Sequence, residues 1–175
     1  MLLLFSSDFH FGHDNIRGYC SRPHLSLHEM HKDMQDKWNA KITGESKNYI
    51  LGDFCFGDRN KIRQMRELLL GKIILIIGNH DKSKSAMASC GFDEVYDELV
   101  IDTVLGPTLL THIPVSDFKG CKFNFNGHVH EKWKFHKRSD GNTHVNVGVD
   151  QWNFSPVSDI EIKIALETEY GDLKK

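Results

Sequence analysis

Five short stretches concentrate side chains able to hold a metal ion: Asp8-Phe9-His10, Gly52-Asp53, Gly78-Asn79-His80-Asp81, His112, and Gly127-His128-Val129-His130. Alternate residues of an extended chain point the same way, so Asp8 with His10, or His128 with His130, can reach one ion. Glycines 52, 78 and 127 let the backbone turn sharply and approach closely. The donors are carboxylate, imidazole and one amide oxygen, which suit Mn, Fe, Zn, Co or Ni rather than copper–thiolate chemistry. Asp8, His10, Asp53, Asn79, His112, His128 and His130 are too many for one tetrahedral zinc. They suffice for two divalent or trivalent transition-metal ions if one carboxylate is shared. Two ions about 3.5–4 Å apart can hold both the attacking and the leaving oxygens of a displacement at phosphorus.

The chain has 11 histidines, dispersed rather than in a tag-like run. His112 follows an apolar strand and precedes the His-x-His motif, which favours it over His136 and His144 as the ligand of its region. His28 and His31 are three apart, whereas a metalloprotease helix needs histidines at i and i+4, so they read as an exposed helix face. His24, His136 and His144 are expected at the surface. His13 either touches substrate or holds its loop. Arg22 either clamps phosphate, which guanidinium matches well, or forms a surface ion pair. Phe11 and Trp152 either wall a ring or pack in the core. No Walker loop is present, so nothing supports ATP-driven work.

These residues need strands that end beside one another. Leu2–Ser6, Asn48–Leu51 and the continuous apolar run Lys72–Ile77 read as strands, the last as one covered on both faces. Ser26 with Glu29 forms a capping box for a helix to about Lys41, with Leu27, Met30, Met34 and Trp38 or Lys37 on one face. Asp58 caps a second helix through Leu70, stopped at Gly71. A short helix covers Ser85–Cys90. Beyond it, Val95–Ile101, Thr108–Thr111, Lys122–Asn126, Thr143–Val147 and Val157–Leu166 read as strands, with a tight turn at Gly106-Pro107. The first half is thus βαβαβ with parallel strands and the second an antiparallel-rich sheet. Together they predict one α/β domain over residues 1–175, a sandwich of two mixed sheets flanked by helices, with residues 171–175 frayed.

Length and composition agree. A chain of 175 residues can bury one core but not two ordinary ones. Its formal net charge of −2 argues against a nucleic-acid coat or a basic membrane patch, while leaving nucleic acid open as a substrate. No apolar run approaches the ~20 residues of a membrane span, and the first residues carry no basic leader. The four cysteines include no C-x-x-C pair. Reduced thiols in the cytoplasm are therefore expected.

The ordered set Asp8-x-His10, Gly52-Asp53, Gly78-Asn79-His80-Asp81, His112 and Gly127-His128-x-His130 resembles the calcineurin-like metallophosphoesterase superfamily, over about three quarters of the chain. Ser7–Ile16, Tyr19, Arg22-Pro23, Asn146–Asp150, Trp152-Asn153 and Pro156–Ser158 are similar to a group of short bacterial and phage members. The resemblance implies a sandwich with two central sheets. It also implies a first metal on Asp8, His10 and His130, a second on Asn79, His112 and His128, and Asp53 bridging both. It places His80 over the substrate phosphate, where it could protonate a leaving oxygen, and Asp81 behind it, where it could orient the ring. The expected function is hydrolysis of a small phosphate ester, nucleotides included, by metal-bound hydroxide. Diesters are favoured over monoesters, and a non-catalytic scaffold is one alternative. A phosphomonoesterase and a nuclease remain open as well.

Overall fold

A computed structural model describes residues 2–171. The fraying expected at residues 171–175 falls, beyond Gly171, outside them. The first sheet contains β1 (Leu3–Ser6), β2 (Lys47–Leu51), β3 (Ile73–Ile76) and β4 (Glu94–Tyr96), all parallel, with β10 (Val157–Ser158) antiparallel at the β1 edge. The second contains β5 (Leu99–Thr103), β6 (Gly106–Leu110), β7 (Phe123–Asn126), β8 (Phe135–Lys137) and β9 (Thr143–Asn146), in the order β5-β6-β7-β9-β8. Its outer pairs are antiparallel, while β6–β7 and β7–β9 are parallel. The antiparallel-rich sheet expected from sequence is therefore a mixed one.

Alternation along the parallel strands divides the core. Ile50 and Leu75 face a cluster with Met30, Met34, Trp38 and Phe54, beneath helices α2 (Leu27–Lys41), α3 (Arg59–Glu67) and α4 (Lys84–Ala88). Phe5, Tyr49, Leu51 and Ile76 face the second sheet through Leu110, Phe125 and Val145. A strand read on both sides must be apolar throughout, as β3 is. Ser26 and Asp58 act as the expected N-caps, accepting from the Glu29 and Lys61 N–H groups, but Glu29 accepts from the Leu25 N–H and does not close a box with Ser26. A short helix, α1 (Ile16–Tyr19), also follows the first ligand loop.

Several elements differ from expectation: α3 ends at Glu67 rather than Leu70, and β8 had no counterpart in the sequence reading. Val95–Ile101 is not one strand, because the chain leaves the first sheet after Tyr96 and enters the second at Leu99. Val157–Leu166 is a strand only to Ser158, and Asp159–Tyr170 is helix α5. Its isoleucines suggest a strand, but Ser158 and Glu161 form a reciprocal capping box that starts a helix. Ile162 and Leu166, four apart, bury the face that meets the second core cluster. No helix among the described residues is long and apolar enough to cross a membrane.

Candidate metal centre

Because β1, β2 and β3 run parallel, the loops after them leave from one edge of the first sheet, carrying Asp8 and His10, then Asp53, then Asn79, His80 and Asp81. The parallel strands β6 and β7 likewise deliver His112, His128 and His130. The two edges are joined at the ligands: Ser7 bridges Gly148, the Val149 N–H donates to the Ser7 carbonyl, and the His128 N–H donates to the Asp8 carboxylate.

Five of the candidate ligands, Asp8, His10, Asp53, His128 and His130, have left-handed φ between 48° and 70°. For a residue with a Cβ this conformation costs about 1–3 kcal/mol, and its concentration here marks a site held by its surroundings. The glycines serve the complementary need. A Cβ at Gly127 would overlap Ser7 Oγ and lie 2.5 Å from Asp8 Oδ2, and one at Gly78 would overlap Asp53. Gly78 and Gly127 thus provide close approach, while the left-handed turning falls on Gly52 (φ 83°), Asp53 and His128.

The side chains converge on two compact groups with ligand atoms within 4.8 Å of one another, Asp8–His10–His130 and Asp8–Asp53–His112. Asp53 Oδ2 lies 3.5 Å from His10 Nε2 and 3.3 Å from His112 Nε2. Asp53 Oδ1 accepts the His80 N–H at 2.9 Å. Asn79 Oδ1 is 3.0 Å from His112 Nε2, and the His128 ring stands 5.3 Å from that of His112. His128 is beside the second group rather than inside it. His80 is exposed, 5.5 Å ring to ring from His10. It borders a cavity of about 350 Å³ shared with Phe56, Gly57, Asp58 and Lys82. Asp81 accepts from the N–H groups of Asp53, Phe54 and Gly78, at 3.0, 3.0 and 2.9 Å. Its carboxylate is committed to the backbone of two ligand loops, which corrects the expectation that it orients the His80 ring.

The charges are strongly coupled. Burial pushes His10 down to about 3 and raises Asp8. Burial also opposes charge on His112 and His130, but the Asp53 carboxylate holds His112 up at about 9, and Asp150 holds His130 up at about 10. Asp53 is drawn down to about 2, burial being outweighed by the His112 hydrogen bond. Without cations, two imidazoliums supply the positive charge that a group of buried carboxylates requires.

No family model matches the chain. An uncharacterised protein of Methanocaldococcus jannaschii, MJ1445, is 32% identical over 173 residues, spanning 90% of this chain and 88% of that one. A protein of unknown function from Aquifex aeolicus, AQ665, superposes with a TM-score of 0.73 at 26% identity, over 94% of this chain and 98% of its own. An archaeal phosphodiesterase shares the fold, with a TM-score of 0.51 at 18% identity over 85% and 84% of the two chains. The chain belongs to one family with MJ1445, and it has the fold of the archaeal phosphodiesterase.

Around this candidate centre, other sequence expectations are redrawn. Arg22 neither clamps phosphate nor lies at the surface: it is buried and paired with Asp150. His24 and His144 are buried too, bonded to Asp33 and Asn124, because both lie under neighbouring aromatic rings, Phe154 and Phe118. His31 is half-buried and accepts the Gly12 N–H, so it steadies the first ligand loop. His13 packs on Phe56 at 4.9 Å. Phe11 is core, and Trp152 packs against the second core cluster. Asp150, which has no motif role in the sequence reading, accepts from His130 Nδ1 at 3.1 Å.

Proposed function

We propose that this chain is a dinuclear-metal phosphoesterase that prefers phosphodiesters. The observation that carries the reading is the position of Asp53 Oδ2 between His10 Nε2 and His112 Nε2, one oxygen facing both ligand groups. The residues fit metal ions on a separate ground: His10 Nε2 is buried with no hydrogen-bond partner, a costly state unless a cation takes the lone pair. Asp8, His10 and His130 would hold one ion, and Asn79, His112 and His128 the other, with Asp53 shared. Bound there, the ions would activate water and offset the charge growing on phosphate oxygens.

The chain's own groups supply the rest. Asp81 fixes the Asp53 and Gly78 loops through their N–H groups, and Asp53 Oδ1 in turn fixes the His80 backbone. The His80 ring borders the cavity next to His10 without belonging to either ligand group. It is placed to protonate the leaving oxygen of an ester. The diester preference rests on Arg22, whose guanidinium is spent on Asp150 and on backbone carbonyls. It is therefore unavailable to a dianionic monoester. The test compares bis-aryl and mono-aryl phosphates on protein reconstituted with Mn, Fe, Co, Ni or Zn. Faster diester cleavage is expected. A monoester preference with every metal would reverse the substrate assignment, and no cleavage of either would refute the reading.

A further inference from the structure

Two buried, oppositely charged side chains outside the ligand set make contact across 128 residues of sequence. Arg22 and Asp150 have side chains 0% and 3% exposed. The guanidinium grips both carboxylate oxygens, Nε to Oδ1 at 2.8 Å and Nη2 to Oδ2 at 3.0 Å. Such a pair is seldom worth its desolvation as a stabilising device alone, because apolar residues of similar volume often do as well. Its remaining bonds indicate another use.

Apart from a contact of Arg22 Nη1 with Met30 Sδ at 3.6 Å, they lead to the same side of the metal centre. Arg22 Nη2 donates to the Asp8 carbonyl at 2.7 Å and Nη1 to the Phe9 carbonyl at 3.0 Å. These carbonyls lie between Asp8 and His10, both left-handed. Asp150 Oδ2 accepts from His130 Nδ1 at 3.1 Å, which turns His130 Nε2 toward Asp8, 3.9 Å from Oδ1. The other side has different supports: the Leu51 carbonyl lies 2.7 Å from His112 Nδ1, and Asp81 holds the Asp53 loop. Among the described residues, neither Arg22 nor Asp150 hydrogen-bonds to Asp53, Asn79, His112 or His128.

We infer that the Arg22–Asp150 pair is the positioning device of the Asp8–His10–His130 half of the centre, Asp150 orienting the His130 ring and Arg22 pinning the Asp8–Phe9 turn. The inference rests on the metal-dependent reading above. A carboxylate behind a ligating histidine fixes its tautomer and orientation, and its loss commonly costs about 10–100-fold in metal affinity. The rival reading makes Asp150 itself a ligand, since Cys20, His130 and Asp150 also bring ligand atoms within 4.8 Å. Both Asp150 oxygens already face the guanidinium. A cation there would sit beside a buried positive charge, so Asp150 acts through His130 instead.

The test is a Mn²⁺ binding isotherm, read from free Mn²⁺, on wild type, Asp150→Asn, Asp150→Glu and the charge-balanced double variant Arg22→Met/Asp150→Leu. The double variant guards against misfolding caused by an unpaired Arg22. Expected is two-ion binding by wild type, with one ion weakened about 10–100-fold in Asp150→Asn and in the double variant. The other should shift by less than about threefold, and Asp150→Glu should recover part of the loss. Metal-free wild type should also show a slowly exchanging imidazole N–H proton of His130 by NMR, absent from Asp150→Asn. Equal weakening of both ions, or an unchanged isotherm, would overturn the inference. So would an affinity loss that merely follows the melting temperature of the metal-free variants. No metal binding by wild type would instead refute the phosphoesterase reading, while the NMR resonance would still decide whether Asp150 holds His130.

Discussion

Under the proposed function, Asp53 and His80 divide the chemistry at the scale of single residues. Both Asp53 oxygens are engaged, one by the His80 N–H and one between two imidazoles. His80, exposed and outside the ligand groups, is free to act on substrate. His80→Ala should keep its metals and melting temperature but lose about 10²–10⁴-fold in turnover of alkyl esters. Esters with acidic leaving groups should lose much less. Equal losses on both, measured under saturating metal, would leave His80 a phosphate-binding or bracing residue. The charges make a second prediction. His112 and His130, held at about 9 and 10 in the metal-free site, are protonated at neutral pH. Metal must displace those protons, so apparent affinity should rise as pH rises from about 6.5 toward 9, with proton release seen by calorimetry in buffers of different ionisation enthalpy. In the metal-free protein the sign is opposite. Both pKa values are raised from 6.5, so their stabilisation is complete below that pH and is lost as pH climbs through 9 and 10. The candidate ligands were legible in sequence because each sits in a short polar motif after an apolar run. The pairing of Arg22 with Asp150 was not, because 128 residues separate them.

At the scale of elements, rigid strands place the loops and the loops absorb the strain. The positions that allow this are the close-approach glycines. Gly127→Ala would drive a Cβ into Ser7 and Asp8, and overpacking of this kind costs about 1–3 kcal/mol. It should lower the melting temperature and abolish metal binding on the Asp8 side, as differential scanning calorimetry and metal analysis would show. Helix α5 lies away from the ligands, so its cap separates stability from function. Ser158→Ala removes the capping box at a cost of about 1 kcal/mol, or roughly 2–4 °C in a chain of this size. Metal content should be unchanged, and a loss of metal would mean that the cap reaches the site. This helix also shows where sequence reading fails. Ile160, Ile162 and Ile164 suggest a strand, yet Ser158 and Glu161 carry the helix signal, and burial of Ile162 and Leu166 decides in its favour. The break between Tyr96 and Leu99 is hidden for another reason: both sides of it are genuine strands, and only the sheet to which each belongs changes.

At the scale of the molecule, the centre exists because two sheets present the C-terminal ends of parallel strands to each other. The first contributes Asp8, His10, Asp53 and Asn79, and the second His112, His128 and His130, joined where Ser7 meets Gly148. Neither sheet alone completes either compact group, since each contains Asp8 and a histidine from the second sheet. The parallel first half and the two-sheet sandwich were legible from alternation and apolar runs. The parallel pairing of β6, β7 and β9 was not, because strand order depends on long-range packing. The decisive measurement is phosphodiester hydrolysis followed against the number of ions bound per chain, as metal is titrated into the metal-free protein. Activity should stay low through the first ion, rise with the second and level off at about two per chain. Asp53→Ala should disturb both binding steps. Full activity at one ion, or none at two, would contradict a centre built on a shared Asp53.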